Sequence, residues 1–240
     1  MLILSDLNNQ AKINAAVKAC EFLQYSFNNI RVVGVGTGST IKLFIEVCKN
    51  FLEDKILVPS SFDTVLYLKN LGYDDIVDLI TARVVDVYVD GADEVSEKLD
   101  MVKGRGGAFL REKSIALRSK TRIYVIDHSK FTGKPYLYLK PIPVEIVPVA
   151  LPVFLEHIRS LENVEPVLRM DSSKDGPVVT DNGNFIVDLR FHTPIQEPGD
   201  VHERIKRIHG AVETGIFPSS LVDYVVVGYP DKSILLQKNM

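Results

Sequence analysis

The feature that most constrains this 240-residue chain is the alternation, through residue 130, of short apolar segments with longer amphipathic ones. Apolar runs bounded by turn residues predict buried strands, and apolar residues that recur every three or four positions predict helices. Strands that alternate with helices form parallel sheets covered on both faces. We therefore predict strands at residues 31–35, 55–59, 84–89 and 122–126, and helices at 9–27, 39–51 and 62–71, with 113–120 continuing a helix that begins before it.

The pattern changes after residue 141, where strands at 144–147, 167–170, 185–191 and 212–217 and helices at 151–161 and 200–209 are predicted. Their order, β-α-β-β-α-β, is that of ferredoxin-like domains. Two closing strands follow at 224–227 and 233–237, and the first is apolar enough for the interior of the large sheet. The predicted fold class is α/β: a Rossmann-like, mostly parallel sheet domain at 1–144 and 218–240, with an inserted ferredoxin-like α+β domain at 145–217.

Charge and hydropathy exclude several classes of partner. The net charge is −3 and the pI is about 6.0, so no basic excess indicates nucleic acid. The apolar runs are too short to span a bilayer, and no membrane is expected as a partner. The N-terminal segment lacks the basic stretch and cleavage site of a secretory signal. These observations predict a cytoplasmic protein.

The sequence contains two cysteines and five histidines. Cys20 and Cys48 stand alone among apolar neighbours, which predicts reduced thiols in the core. No histidine stands at metal-ligand spacing from another histidine or from a cysteine, so we expect no metal.

The first polar loop that can carry chemistry is the segment 34–40, GVGTGST, between a predicted strand and a predicted helix. N–H groups at a helix start attract anions, and Thr37, Ser39 and Thr40 add hydroxyl donors. Ser39 or Thr40 is the expected helix cap. The segment lacks the P-loop lysine and the third glycine of the dinucleotide fingerprint, so it favours a phosphate. The alternative is a glycine-rich turn with a capping hydroxyl.

The second loop, DGADE at 90–94, directly follows a predicted strand. Ligands of open parallel sheets bind beyond the carboxyl ends of the strands. Asp90 and Asp93 are three positions apart and suit sugar hydroxyls, proton transfer or a cation. The alternative is a helix start, with Asp90 as cap and Glu94 near the positive helix end.

The third loop is KGRGGAFLREK at 103–113. A glycine run beside basic residues predicts an anion-binding concavity of backbone N–H groups. Glu112 then lies on the following helix. A carboxylate beside an oxyanion-stabilising loop suits removal of a proton next to a carbonyl group. The alternative for Glu112 is a surface residue paired with Lys113 or Arg111.

Taken together, the three loops resemble the signatures of ribose-5-phosphate isomerase, type A. The matching segments are VGVGTGST (33–40), YVDGADE (88–94), KGRGGAFLREK (103–113), PIPVE (141–145) and VTDNGN (179–184). They occur in order over nearly the whole chain.

The resemblance implies an isomerase that interconverts D-ribose 5-phosphate and D-ribulose 5-phosphate through a cis-enediolate in the non-oxidative pentose phosphate pathway. It implies no cofactor and no metal, a small sugar-phosphate substrate, and a homodimer or homotetramer. Glu112 falls on the catalytic base of the family, with Asp90 and Lys103 assisting. Arg105 stands where many members have glycine, and its side chain is expected to point outward. The substrate-binding residues implied are Thr37, Gly38, Ser39, Thr40, Asp90, Gly91, Ala92, Asp93, Lys103, Gly104, Arg105, Gly106 and Lys140.

Two rival functions remain open at this point. An aminosugar-phosphate deaminase of the same superfold would need a further acid–base group near the site, and His128, after a predicted strand, is the candidate. A non-catalytic sugar-phosphate sensor would normally carry a DNA-binding module, and no basic helix-turn-helix segment precedes residue 9. An assay for ketose formation from ribose 5-phosphate distinguishes the isomerase from the deaminase and from the sensor.

Overall fold

The computed structural model describes the backbone of residues 2–238 and the side chains from Leu7 onward. The strands in this part of the chain are β1 (Val32–Val35), β2 (Ile56–Pro59), β3 (Val85–Asp90), β4 (Glu94–Val95), β5 (Met101–Val102), β6 (Ser119–Asp127), β7 (Ile142–Ile146), β8 (Val164–Leu168), β9 (Phe185–Phe191), β10 (Ala211–Thr214), β11 (Ile216–Phe217), β12 (Tyr224–Gly228) and β13 (Ser233–Gln237). The helices are α1 (Leu2–Ser26), α2 (Ser39–Val47), α3 (Lys49–Leu52), α4 (Phe62–Asn70), α5 (Phe109–Arg118), α6 (Leu151–Arg159) and α7 (Pro198–Lys206).

The chain divides into two compact units. The first, here called the Rossmann-like unit, comprises residues 1–92, 111–131 and 219–240; the second, the ferredoxin-like unit, comprises 93–110 and 132–218. The predicted fold class, a Rossmann-like domain with an inserted ferredoxin-like domain, is confirmed. The domain limits of 145 and 217 stay a prediction; the ferredoxin-like unit contains that range together with 93–110, 132–144 and residue 218.

A six-stranded sheet, in the order β13-β12-β6-β3-β1-β2, forms the centre of the Rossmann-like unit. All neighbouring strands are parallel except β13, which pairs antiparallel with β12. The apolar strand β12 lies inside the sheet, as its composition predicts. The chain passes from β1 outward to β2 and then returns to β3 on the other side of β1. The strand order therefore reverses between β1 and β3, where such sheets open a crevice for ligands.

Helices α1 and α2 pack on each other, and the predicted helix at 39–51 divides into α2 and α3. The predicted side-chain cap is wrong: Gly38 holds the cap position, Ser39 is already helical, and no side chain caps this helix. The Cα trace therefore turns into α2 at a glycine, which lets the backbone make a turn that residues with a Cβ disfavour.

The predicted reduced thiols are also wrong. Cys20 on α1 and Cys48 after α2 form a disulfide, with their Cα atoms 5.5 Å apart. Both residues are buried in the core of the Rossmann-like unit. They are 28 positions apart in the chain, so their proximity depends on the packing of α1 against α2 and is not visible in the sequence.

The ferredoxin-like unit contains an antiparallel sheet in the order β10-β7-β9-β8. Val144 and Ile146 of β7 join Phe154 of α6 and Ile205 of α7 in an apolar core, so the helices cover one sheet face. The predicted single strand at 212–217 is wrong. It breaks at Gly215, where β10 leaves β7 and β11 pairs instead with β5. An added Cβ at Gly215 would lie 2.2 Å from the carbonyl oxygen of Lys103, so only glycine allows this close approach.

Among residues 2–238, no helix is long and apolar enough to cross a membrane.

Candidate functional site

The carboxyl ends of β1 and β3 meet at Gly36 and Asp90 in the Rossmann-like unit. A Cβ added to Gly36 would lie 1.8 Å from Asp90 Oδ1. The Gly36 N–H also donates to the carbonyl oxygen of Val89 at 2.9 Å. Glycine is therefore required at position 36 because the Asp90 carboxylate occupies the space of a side chain. The second glycine of the 34–40 segment thus makes room for a carboxylate of the protein, and not for a bound ligand.

Asp90 is fully buried and held by several donors. The N–H groups of Gly91 and Thr37 donate to its Oδ1 at 2.7 and 3.2 Å, and the Tyr88 hydroxyl donates to its Oδ2. Asp90 is the last residue of β3, and no helix starts there. The alternative in which Asp90 caps a helix is therefore wrong.

A cluster of hydroxyl groups missed by the sequence analysis holds Thr37. The Thr37 hydroxyl donates to Ser61 Oγ at 2.7 Å and lies 2.9 Å from Ser60 Oγ and 3.2 Å from Thr64 Oγ1. Thr64 in turn donates to the carbonyl oxygen of Gly36 at 2.8 Å. Ser60 and Ser61 follow β2, so the rule that drew attention to Asp90, polar residues at a carboxyl strand end, applies to them as well.

The three hydroxyl residues of the 34–40 segment have different surroundings. Ser39 is exposed on the first turn of α2, Thr40 is buried, and Thr37 faces the serine cluster. Lys12 Nζ, on α1, donates to Ser39 Oγ at 3.3 Å. An ammonium group beside the N-terminus of a helix adds a positive charge where the helix dipole already favours an anion. Lys12 was not among the site residues predicted from the sequence.

The pKa values of two buried tyrosines are raised by burial and by the carboxylates near them. Burial raises the pKa of Tyr88 well above its ordinary value, and the charges of Asp90 and Glu112 raise it further. Burial likewise raises the pKa of Tyr124, with Asp90 and Glu112 again contributing. The two rings contact edge to face with centroids 6.3 Å apart. Asp90 and Glu112 therefore act on the same pair of tyrosines from one buried region of the Rossmann-like unit.

Glu112 lies on the first turn of α5 and is only 4% exposed. The alternative of a surface residue is therefore wrong. The helix begins at Phe109, so Glu112 lies at its start, and it ends at Arg118, where β6 starts.

Asp93 and Glu94 belong to the ferredoxin-like unit and accept hydrogen bonds from different backbone segments. Asp93 Oδ2 accepts from the backbone N–H of Arg105 at 3.0 Å. Glu94 begins β4, not a helix, and is buried. Its two oxygens accept from the backbone N–H groups of Tyr138 and Lys140 at 2.7 and 2.8 Å. Glu94 thus fixes a neighbouring segment of backbone, while the Lys140 side chain is exposed.

The glycine run of the third loop is held closely within the same unit. Lys103 is buried, with its Nζ 5.4 Å from the ring centroid of Phe217. Gly104 has a φ of 108°, and an added Cβ would lie 2.5 Å from the Phe109 ring. Arg105 and Gly106 are exposed, in agreement with an outward Arg105 side chain. Position 104 therefore has no room for a side chain, and the loop exposes backbone groups at 105 and 106.

The predicted residues thus form two groups. The Rossmann-like unit brings Thr37, Asp90 and Gly91 together and places Glu112 in the same electrostatic neighbourhood, with Ala92 buried at its boundary. The ferredoxin-like unit joins Asp93 to the 103–106 loop. His128 stacks on Tyr229, with ring centroids 5.4 Å apart. Across the part of the chain that the structure describes, no group of three or more metal-ligating side chains is found.

Comparison with known proteins gives consistent matches. A family described as Ribose 5-phosphate isomerase A (phosphoriboisomerase A) matches residues 56–232. Ribose-5-phosphate isomerase A of Pyrococcus abyssi is 39% identical over 220 residues, covering 89% of this chain and 92% of that protein. The ribose-5-phosphate isomerase of Dictyostelium discoideum is 41% identical over 188 residues, covering 77% and 81% of the two chains.

Solved structures agree with these matches. Ribose 5-phosphate isomerase A from Methanocaldococcus jannaschii superimposes with a TM-score of 0.85 at 32% identity, covering 96% of this chain and all of that one. A D-ribose-5-phosphate isomerase in complex with phospho-erythronic acid gives a TM-score of 0.87 at 37% identity, covering 96% and 99%.

Proposed function

This chain belongs to the ribose 5-phosphate isomerase A family, and from that membership we propose that it interconverts D-ribose 5-phosphate and D-ribulose 5-phosphate as an aldose–ketose isomerase. The reaction is the step of the non-oxidative pentose phosphate pathway that links the two pentose phosphates. The observation that carries the proposal is that two carboxylates of the Rossmann-like unit are buried, Asp90 at the carboxyl end of β3 and Glu112 on the first turn of α5. Buried acids in such a crevice suit proton transfer.

In the proposed mechanism, Glu112 is the general base. As a carboxylate it takes the proton from C2 of the open-chain aldose; the C2–H electron pair forms the C1–C2 double bond, and the π pair of the C1 carbonyl moves onto O1 to give a cis-enediolate. The proton on O2 passes to O1, O2 forms the ketone C=O with C2, and the electron pair of the C1–C2 double bond takes the proton back from Glu112 at C1. Burial of Glu112 on the first turn of α5 supports this role, because a buried carboxylate keeps a fixed position relative to the substrate proton that it removes. No cofactor takes part.

Lys103 and the N–H groups of the 104–106 segment stabilise the oxyanion that develops during proton transfer. The fixed backbone of this loop supports their role, since donors that are already oriented need no reorganisation during the reaction. Asp90 and Asp93 order the sugar hydroxyl groups, and one of them assists the exchange of the proton between O1 and O2. Gly91 and Ala92 line the substrate beside Asp90, and Lys140 contacts it from its own loop.

The phosphate group binds at the start of α2 in this proposal. Gly38, Ser39 and Thr40 supply backbone N–H and hydroxyl groups, and Lys12 supplies a positive charge. The 3.3 Å contact from Lys12 Nζ to Ser39 Oγ supports this assignment. A crystal structure with phospho-erythronic acid bound tests it, and a phosphate remote from residues 38–40 would refute it.

Glu112→Gln is the experiment that tests the base. It keeps the size of the side chain but removes the basic carboxylate, so we expect kcat to fall by about 10²-fold or more, the scale of a positioned general base. Formation of ketose from ribose 5-phosphate measures kcat and KM. Glu46→Gln, an exposed glutamate on α2, is the matched control and should retain wild-type turnover. Near-normal turnover of Glu112→Gln would move the base to Asp90 or Asp93.

On the same family grounds we propose a cytoplasmic enzyme that assembles as a homodimer or homotetramer. Light scattering on the eluting peak of a sizing column measures the oligomeric state. Cell fractionation combined with thiol labelling tests the compartment and reports at the same time whether Cys20 and Cys48 are oxidised there.

A further inference from the structure

Arg169, just after β8 in the ferredoxin-like unit, uses its guanidinium group for two purposes. Its Nε and Nη2 atoms donate to the two carboxylate oxygens of Asp188 at 2.8 and 2.5 Å. Its Nη1 atom donates to the carbonyl oxygens of Gly104 and Arg105 at 2.9 and 3.1 Å. A planar guanidinium bound at two points has a fixed orientation. Asp188 therefore aims Nη1 at the glycine loop.

The peptide between Gly104 and Arg105 is held from opposite sides. Its C=O accepts from Arg169, and its N–H donates to Asp93 Oδ2 at 3.0 Å. These groups point in opposite directions in a trans peptide. The next peptide also turns its C=O, that of Arg105, towards Arg169. Its N–H, that of Gly106, consequently points away from Arg169, to the side from which Asp93 approaches.

The glycine residues of the loop are the reason that its peptides need to be held in one orientation. A peptide beside glycine residues rotates with little steric resistance, so the loop can present either N–H or C=O groups to the same side. An N–H stabilises an oxyanion, whereas a C=O repels it. The Gly107 N–H donates to the Gly104 carbonyl oxygen at 3.0 Å and closes a turn, and the peptide between Arg105 and Gly106 can flip at the centre of such a turn without breaking that bond. The bond from Arg169 to the Arg105 carbonyl oxygen opposes this flip and so sets the direction of the exposed Gly106 N–H.

We propose that Arg169 is a positioning residue that keeps the Gly106 N–H directed at the oxyanion of the enediolate, with Asp188 holding Arg169 in place. The proposal rests on the proposed function. It assigns a contribution to the reaction to a side chain just after β8 whose hydrogen bonds go to Asp188 and to the carbonyl oxygens of the loop, and not to a group that reacts.

Arg169→Ala tests the proposal against a matched control. Arg122 forms a similar two-point ion pair with Asp223, at 2.8 and 2.9 Å, on the Rossmann-like unit. For Arg169→Ala we expect kcat to fall about 10- to 100-fold, short of the full loss of an oxyanion donor, with KM changed less than about threefold. Inhibition by phospho-erythronic acid, whose carboxylate imitates the enediolate oxygens, should weaken by a similar factor. Added guanidinium chloride at non-denaturing concentration should restore part of the lost kcat, and Arg122→Ala should show none of these changes.

A second measurement tests the positioning role of Arg169 separately from the proposed isomerase function. Amide hydrogen exchange at Arg105 and Gly106 should become faster in Arg169→Ala and remain as in the wild type in Arg122→Ala. Equal kcat values for the two variants, or a loss of kcat in Arg169→Ala that guanidinium does not restore, would overturn the positioning role. If the wild-type chain failed to isomerise ribose 5-phosphate, the proposed function would fall, and unchanged exchange in Arg169→Ala would separately refute the claim that Arg169 orients the loop.

Discussion

Replacing Gly36 by alanine is the sharpest perturbation of the site. The new Cβ would lie 1.8 Å from Asp90 Oδ1 and 2.0 Å from its Cγ, about 1.6 Å short of the 3.4 Å at which ordinary contact begins. Asp90 is fully buried between β3 and its hydrogen-bond donors, so the carboxylate must move by a distance of that order. The bonds from Gly91 and Thr37 would then be broken or lengthened.

Two quantities follow from this displacement. A buried polar group that loses its partner costs about 1–3 kcal/mol, so we expect the free energy of unfolding to drop by about 2–4 kcal/mol. A misplacement of about 1 Å in a catalytic site can cost about 10²-fold in rate, so kcat should fall at least that far. Urea unfolding measures the first quantity, and ketose formation from ribose 5-phosphate measures the second.

Gly199→Ala is the control for this experiment, because Gly199 has open space around its Cβ position on α7. Alanine there should leave kcat unchanged and stabilise the helix by up to about 1 kcal/mol. If Gly36→Ala kept more than about a tenth of wild-type kcat, the reasoning that Gly36 exists to admit the Asp90 carboxylate would be wrong.

Two further predictions concern stability. The raised pKa values of Tyr88 and Tyr124 mean that their contribution is fully present below pH 10 and is lost as pH rises towards the folded-state pKa, at about 1.4 kcal/mol per pH unit for each group. Urea unfolding between pH 8 and 11 should show a shallower alkaline loss in Tyr124→Phe than in the wild type; identical slopes would contradict this. The Cys20–Cys48 disulfide closes a 28-residue loop, so the double substitution to alanine should lower the free energy of unfolding by about 3–4 kcal/mol. A wild-type unfolding curve that does not respond to a reductant would refute that estimate.

The alternation of elements was readable from the sequence because the periods of 2 and 3.6 residues follow from backbone geometry. Strand 185–191 has the bounds predicted for it, and β12 lies inside the sheet as its apolar composition required. The break of the predicted strand 212–217 at Gly215 was not readable. It depends on the close approach of the Lys103 carbonyl oxygen, a residue more than a hundred positions away.

The sequence likewise determined which loops could carry chemistry and which family the chain belongs to, because residue types and their spacing are local properties. The assigned roles of Glu112, Asp90 and Lys103 stay predictions until the variants are measured. What each loop residue contacts was decided by the tertiary structure. Thr37 turns to the hydroxyl groups after β2, and Glu94 binds backbone near Lys140.

The disulfide and the Arg169 contacts show the same division. Cys20 and Cys48 read as isolated thiols, and Arg169 read as one residue of a strand, since neither has a local partner in the sequence. Packing of α1 on α2 joins the cysteines, and the antiparallel sheet brings Arg169 beside Asp188 and the loop at Gly104. Periodicity and motifs are set by neighbours along the chain, whereas these pairings exist only once distant elements have packed.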